Sequence, residues 1–235
     1  MANEPSVHQR RRAPNADELD SIPWLSVLTP DERAQITPQL VVSDPQPGDY
    51  VCRVGRPATY WFGVISGLLK MSSDNESGQT MTFTGVPPGG WFGEGTAIKR
   101  ETYRYNIMAL RHSVVAGLPI DTFHWLLDNS IGFNRFVMNQ LNERLAQFIE
   151  AREIDRSNDP DVRVARSLAS LFNSTLFPGV GEVLRITQQE LAYLVGLSRQ
   201  RVNVALNRLE EQGAIRIEYG GMRVLNLAAL RASGT

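Results

Sequence analysis

The chain has 235 residues, 42% of them hydrophobic and 21% charged, the proportions of a globular protein long enough for two modest domains. No apolar run approaches the roughly 20 residues that cross a bilayer, and the opening MANEPSVHQRRR carries no apolar stretch behind its arginines, so a cytoplasmic protein is expected. The single cysteine, Cys52, permits neither an internal disulfide nor a cysteine-cluster metal site. Net charge is −1, but from Asp161 onward nine Lys/Arg stand against six Asp/Glu, which makes the C-terminal part the better partner for a polyanion.

Residues 1–16 are polar, with Pro5, Pro14 and the run Arg10-Arg11-Arg12, and are expected to be a disordered, solvated arm. Residues 17–130 form the first domain. One or two short helices over 17–40 open it, with Thr29-Pro30-Asp31-Glu32 as a helix start. From Val41 to Leu118 short apolar runs alternate with Gly, Pro, Asn and Asp, the pattern of a β-sandwich or barrel, with a hairpin loop at Asp74-Asn75-Glu76-Ser77-Gly78.

The chain turns helical from Pro119 to about Arg156. Over 131–157 the residues Ile131, Met138, Leu141, Leu145 and Phe148 follow a 3–4 spacing, interrupted by Asn134 and Arg152. Such a seam predicts a homodimer interface through Met138, Leu141, Leu145 and Phe148; packing onto the chain's own β domain is the alternative. Ser157-Asn158-Asp159-Pro160 breaks the helix as a hinge, Asp159 caps a helix running to about Asn173, and Phe177-Pro178-Gly179-Val180-Gly181 is a loop.

The last domain, residues 158–235, carries the strongest motif. Thr187-Gln188-Gln189-Glu190 is a capping box, Leu191, Leu194 and Val195 give its helix an apolar face, and Gly196 supplies a tight turn. Ser198 caps a second helix, whose Val202, Ala205, Leu206 and Leu209 face inward and whose Arg199, Gln200, Arg201 and Asn203 lie at the exposed N-terminal end. Ile215–Tyr219, Gly220-Gly221 and Met222–Leu225 then form a hairpin wing. This is a winged helix-turn-helix. A major groove admits one helix whose N-terminal residues reach base edges, where arginine pairs with guanine and glutamine with adenine. Thr187, Gln188, Gln189, Ser198, Asn203 and Arg223 complete the expected DNA-binding set, with amides at helix starts holding phosphates.

The stretch ITQQELAYLVGLSRQRVNVALNRLEEQGAI, together with Gly48-Asp49, Phe62…Ile65-Ser66-Gly67 and Trp91-Phe92-Gly93-Glu94, resembles the cyclic-AMP receptor protein/Fnr superfamily of bacterial regulators. The resemblance implies an α+β chain. Its parts are an N-terminal double-stranded β-helix (jelly-roll) of the cyclic-nucleotide-binding kind, a long dimerisation helix and a C-terminal winged helix-turn-helix. It also implies a dimer on a palindromic double-stranded DNA operator, an RNA polymerase contact in activating members with the Phe177–Val183 loop as candidate, and no membrane partner. In nucleotide-binding members a Gly-Glu pair contacts the ribose and an Arg ten residues on holds the cyclic phosphate; Gly93-Glu94 and Arg104 keep that spacing.

Two departures count against cyclic AMP. The family's small hydroxyl residue after the arginine is Tyr105, large enough to fill the pocket. The two hydroxyl residues that hold adenine align with Phe148 and Ile149, where each unpaired adenine group costs about 1–3 kcal/mol. Gly93, Glu94, Arg104 and Tyr105 are therefore either a retained effector site, with a cyclic nucleotide as the implied ligand, or an inherited structural ion pair with its neighbours. A ligand-independent regulator with Tyr105 and Phe148 as filler, and a sensor of another ligand such as a cyclic dinucleotide, stay open beside it. Haem and iron–sulfur chemistry is not expected: His8, His112 and His124 stand isolated and there is one cysteine. The recognition helix carries Gln200 and Val204 where the cyclic-AMP receptor protein has Glu and Arg, so a different half-site is expected. No catalytic constellation or metal-ligand spacing suggests an enzyme.

Overall fold

A computed structural model describes residues 11–74, 80–156 and 159–234. Helix α1 (Ala16–Asp20) starts at Asn15, whose side chain accepts from the Glu18 amide while Glu18 returns to the Asn15 amide. The same reciprocal box opens α2 (Pro30–Ile36), where Thr29 and Glu32 exchange bonds and Pro30 takes the first position, which needs no amide donor. The arm expected over 1–16 therefore needs correction at its inner end. Arg12 exchanges backbone hydrogen bonds with Val42, and its guanidinium pairs with Glu18, so residues 11–16 belong to the fold. Residues 1–10 lie outside the described residues.

Among the described residues, eight strands build the β domain: β1 (Val41–Ser43), β2 (Tyr50–Cys52), β3 (Tyr60–Ser66), β4 (Leu69–Asp74), β5 (Thr80–Val86), β6 (Trp91–Phe92), β7 (Asn106–Ala109) and β8 (Val114–Pro119). They pair antiparallel into two four-stranded sheets, β1-β8-β3-β6 and β2-β7-β4-β5, the two layers of a β-roll. Residues 75–79 of the expected hairpin loop fall outside the described residues, but β4 and β5 are in register on both sides of it. The alternation of each strand sends Val51, Phe62, Met71, Phe92 and Ile107 between the sheets. It sends Trp61 and Trp91 to the opposite face, where Trp24, Phe123 and Phe133 cover them. Indoles Trp61 and Trp91 approach to 4.4 Å between centroids, and Trp24 meets Trp91 edge-on at 5.2 Å.

Short α3 (Glu94–Lys99) lies between β6 and β7. Two helices follow β8, α4 (Ile120–Asn129) and α5 (Ile131–Arg156), separated at Ser130. Phe133 and Val137 of α5 pack inward, but beyond them the helix carries its polarity inside out. Gln140, Arg144 and Gln147 are buried, while Ile131, Met138, Leu145 and Ile149 are exposed. The hinge residues Ser157 and Asn158 lie outside the described residues. Asp159 caps α6 (Pro160–Ser170) by accepting from the Asp161 amide. The helix stops at Ser170, short of the Asn173 expected, and the following turn carries Leu176 and Phe177 into the β-roll core.

The C-terminal domain comprises β9 (Val183–Leu184), α7 (Gln188–Val195), α8 (Arg199–Glu211), β10 (Ile215–Glu218), β11 (Gly221–Val224) and α9 (Leu227–Ala232). The wing is a three-stranded sheet in the order β10-β11-β9, one strand more than the hairpin expected. Leu168, Leu191, Val202, Leu206, Ile215, Met222 and Leu230 form its core, which Leu68 of the β domain also enters. Among the described residues no helix is long and apolar enough to cross a membrane.

Candidate functional site

The helix-turn-helix is set by three local devices. Thr187 Oγ1 accepts from the Glu190 amide at 3.2 Å and Glu190 Oε2 accepts from the Thr187 amide at 2.7 Å, fixing the start of α7. Gly196 ends it in the left-handed region, φ 65°, where a side chain would be strained. Ser198 Oγ then accepts from the Arg201 amide at 3.2 Å and starts α8. Val202, Ala205, Leu206 and Leu209 are buried beneath α8, which leaves one face outward.

That face presents Arg199, Gln200 and Val204, all exposed, with Thr187, Gln189 and Ser198 exposed beside them. Two expected base or phosphate contacts are turned elsewhere. Arg201 points back at α6 and makes a close ion pair with Asp161 at 2.6 Å, while Arg208 reaches the same carboxylate. Asn203 accepts from Gln188 Nε2 at 2.8 Å, locking α7 to α8. On the wing, Arg223 Nε donates to Glu218 Oε1 at 2.7 Å and the same guanidinium pairs with Glu182. The Glu218 carboxylate, the largest influence, raises the Arg223 pKa and keeps that charge fixed. Tyr219 stands fully exposed at the wing tip.

The effector residues are arranged differently from their spacing. Gly93 turns the chain at φ 89° into α3, and this aims Glu94 inward, 4% exposed at its side chain. Its partner is not Arg104. Arg144 of α5 donates from Nη2 to Glu94 Oε1 at 3.2 Å and to the Trp91 carbonyl at 2.6 Å. Arg104 is 78% exposed at its side chain and pairs outward with Glu101 at 3.2 Å. The chain bends at Arg104 and Tyr105 just before β7, and there Tyr105 packs against the β-roll core while Arg104 turns out. A Cβ on Gly93 would lie 3.5 Å from the Tyr105 hydroxyl, so the phenol stands against that turn. Burial, with the nearby Glu94 charge, pushes the Tyr105 pKa upward and keeps it neutral. Phe148, expected as the second filler, is 38% exposed and lines a different cleft, against β5 and α7.

The loop suggested for polymerase contact is likewise altered. Phe177 is fully buried and Val183 pairs in the wing sheet, which leaves Pro178, Gly179, Gly181 and Glu182 at the surface.

Comparison with known families settles what this pairing of domains is. Residues 45–130 match the cyclic nucleotide-binding domain and residues 162–233 match the Crp-like helix-turn-helix domain. The chain belongs to the Crp/Fnr family of transcription regulators. It is a DNA-binding regulator with an effector-binding domain, in a family that is not enzymatic. Among similar regulators, the transcriptional regulator SdrP of Thermus thermophilus is 28% identical over 172 residues, covering 72% of this chain and 81% of SdrP. The CRP-like cAMP-activated global transcriptional regulator of Mycobacterium tuberculosis is 27% identical over 205 residues, 81% of this chain and 87% of that one. The structure of FixK2 from Bradyrhizobium japonicum matches the Crp/Fnr fold here with a TM-score of 0.66 at 15% identity, over 81% of this chain and 95% of that one.

Two residues central to this Crp/Fnr chain escape sequence reasoning. Arg144 is one of many polar residues on a long helix, and only its 3–4 spacing with Gln140 and Gln147 hints at a buried stripe. Arg111 carries no motif, yet it donates from Nε and Nη2 to Glu190 at 2.8 Å each.

Proposed function

We propose that this regulator acts as a cytoplasmic homodimer that reads a palindromic operator through Arg199 and Gln200 of α8, without cyclic AMP as its signal. The exposed Arg199–Gln200 pair at the start of α8 carries the first part of this reading. With the wing and α7 beside it, that end is free to enter a major groove, and a two-fold pair of such helices spans successive grooves roughly 34 Å apart. The apolar stripe of α5 supports the dimer, because Ile131, Met138, Leu145 and Ile149 are more than half exposed in a single chain. Glu182 and its neighbours are the remaining surface of the turn suggested for an RNA polymerase contact.

Arg199 and Gln200 suit guanine followed by adenine, and Val204 offers apolar contact to a thymine methyl. The half-site then differs from that of the cyclic-AMP receptor protein. Selection from randomised half-sites tests this, with Arg199→Ala expected to lose discrimination at one base pair, about 1–3 kcal/mol. A selected site that matches the cyclic-AMP consensus, or full discrimination by the Ala variant, would overturn it.

Independence from cyclic AMP rests on one arrangement. Glu94 is already held by Arg144, Tyr105 stands at the Gly93 turn, and Arg104 points to solvent. A phosphate entering this pocket meets no assembled guanidinium clamp. Operator affinity is expected to be equal with and without saturating cyclic AMP or a cyclic dinucleotide, and a cyclic-AMP-dependent gain of tenfold would refute the reading.

A further inference from the structure

Away from Glu94, the seam between the two sheets opens on a cavity of about 530 Å³. It lies between β2, an edge strand of its sheet, and the start of β3. Its floor is apolar: Phe62 and Cys52 are buried, and Tyr103, also buried, donates its hydroxyl to the Tyr60 carbonyl. Its rim is basic, formed by Arg11, Arg53 and Arg56, against one carboxylate on Asp49 that already accepts from the Gln46 amide. Two guanidiniums are placed by rings. Arg53 lies 4.2 Å over Tyr50 and Arg11 lies 3.9 Å over Tyr60. The volume is that of a small-molecule site, with a few placed polar groups around an apolar interior.

From this geometry we infer that the seam binds a small aryl anion, a flat ring bearing one carboxylate or sulfonate. The ring fits the Phe62–Tyr103 floor, and the anion meets Arg53 and Arg56, which are exposed and present planar forks suited to an oxyanion. Binding is non-covalent. Burial pushes the Cys52 thiol up to about 12, so it is not a nucleophile at neutral pH. Tyr103 is also a wall shared with the Glu94 region, since its ring stands 5.9 Å from that of Tyr105 and a Cβ on Gly93 would lie 3.4 Å from it. An occupant of the seam therefore touches the residue that packs against the Gly93 turn. The site goes beyond the proposed DNA reading and stands independently of it.

The test uses the full chain and 1-anilinonaphthalene-8-sulfonate, followed by fluorescence and calorimetry. Neutral N-phenyl-1-naphthylamine and inorganic phosphate serve as the ring-only and anion-only probes. The sulfonate is expected to saturate a site that both other probes fill at least tenfold more weakly. Arg53→Ala with Arg56→Ala should weaken it by about tenfold or more, a 1.4 kcal/mol change or larger, while Arg53→Lys with Arg56→Lys, which keeps the charge but loses the planar fork, should fall between the wild type and the Ala pair. Both pairs are exposed, and circular dichroism checks that the fold is kept. The inference is overturned if the sulfonate does not saturate, if the Ala pair leaves its affinity unchanged, or if the neutral probe binds as tightly, the sign of a merely apolar patch.

Discussion

Arg12 is held at both its backbone and its side chain. Its amide donates to the Val42 carbonyl at 2.9 Å, and its guanidinium spans both Glu18 oxygens at 2.7 and 2.5 Å. The bonds from Arg12, helped by the Asn15 amide, hold the Glu18 carboxyl below its ordinary value. A depressed carboxylate stabilises the fold above its unfolded pKa, about 4.3, and loses that contribution as pH falls through the folded value. Arg12→Ala should therefore lower stability at pH 7 by about 1 kcal/mol, a figure held down by solvent at the half-exposed guanidinium. It should also flatten the acid side of the stability profile below about pH 4.5. Thermal melts from pH 7 to 3 check both, and identical acid limbs in the two proteins would count against the pairing. Arg199 and Arg201 show how two arginines in one turn differ. Arg201 is engaged with Asp161, so Arg201→Ala is expected to loosen α8 from α6 by about 1 kcal/mol and leave half-site preference intact. Denaturant unfolding and operator selection separate the two effects.

Helix α5 explains what sequence periodicity can and cannot tell. The stripe Met138, Leu141, Leu145 and Phe148 is legible because it repeats every three or four residues, and it is the exposed face. The opposite stripe is not legible. Gln140 donates to the Thr175 carbonyl at 2.7 Å and Arg144 reaches Glu94, but polar residues on a long helix look solvated until a neighbour covers them. The capping boxes at Thr29 and Thr187 were legible for the opposite reason: both partners lie within four residues. Arg104 marks the limit of spacing. Ten residues after Glu94 the motif is kept, yet the bend at residues 104 and 105 packs Tyr105 inward and turns Arg104 out, which no spacing encodes. Because Leu145 is 61% exposed in one chain, Leu145→Lys should fold normally and convert the dimer to a monomer. Sedimentation velocity reads this directly. Operator affinity should fall at the same time, since two half-sites are no longer engaged together. A dimer that survives Leu145→Lys would move the interface elsewhere.

The two domains are packed as one body rather than strung on a linker. Leu176 and Phe177 enter the β-roll core, Leu68 enters the helix-turn-helix core, and a Cβ on Gly85 would come within 2.8 Å of Leu194. Arg111 joins this contact to the DNA-binding motif itself. It donates to both oxygens of Glu190, the residue that also accepts from the Thr187 amide, and to the Arg185 carbonyl at 2.6 Å. The capping box that starts α7 is thus braced by the β domain. A change in the β-roll that moved the β7–β8 turn would reach the first helix of the motif through a rigid, charge-assisted contact, and a shift between two such packings is how a signal would alter DNA reading. Arg111→Gln keeps a polar side chain but removes the fork. It should lower the opening free energy of α7 amides by about 1.5–3 kcal/mol, the worth of a hydrogen bond to a charged group, and leave the amides of β3 and β8 unchanged. Native-state hydrogen exchange reads the two regions separately. Equal loss of protection in both would mean that Arg111 supports the whole fold and does not couple the domains. No loss in either would mean that apolar packing at Gly85 and Phe177 holds the domains together without it.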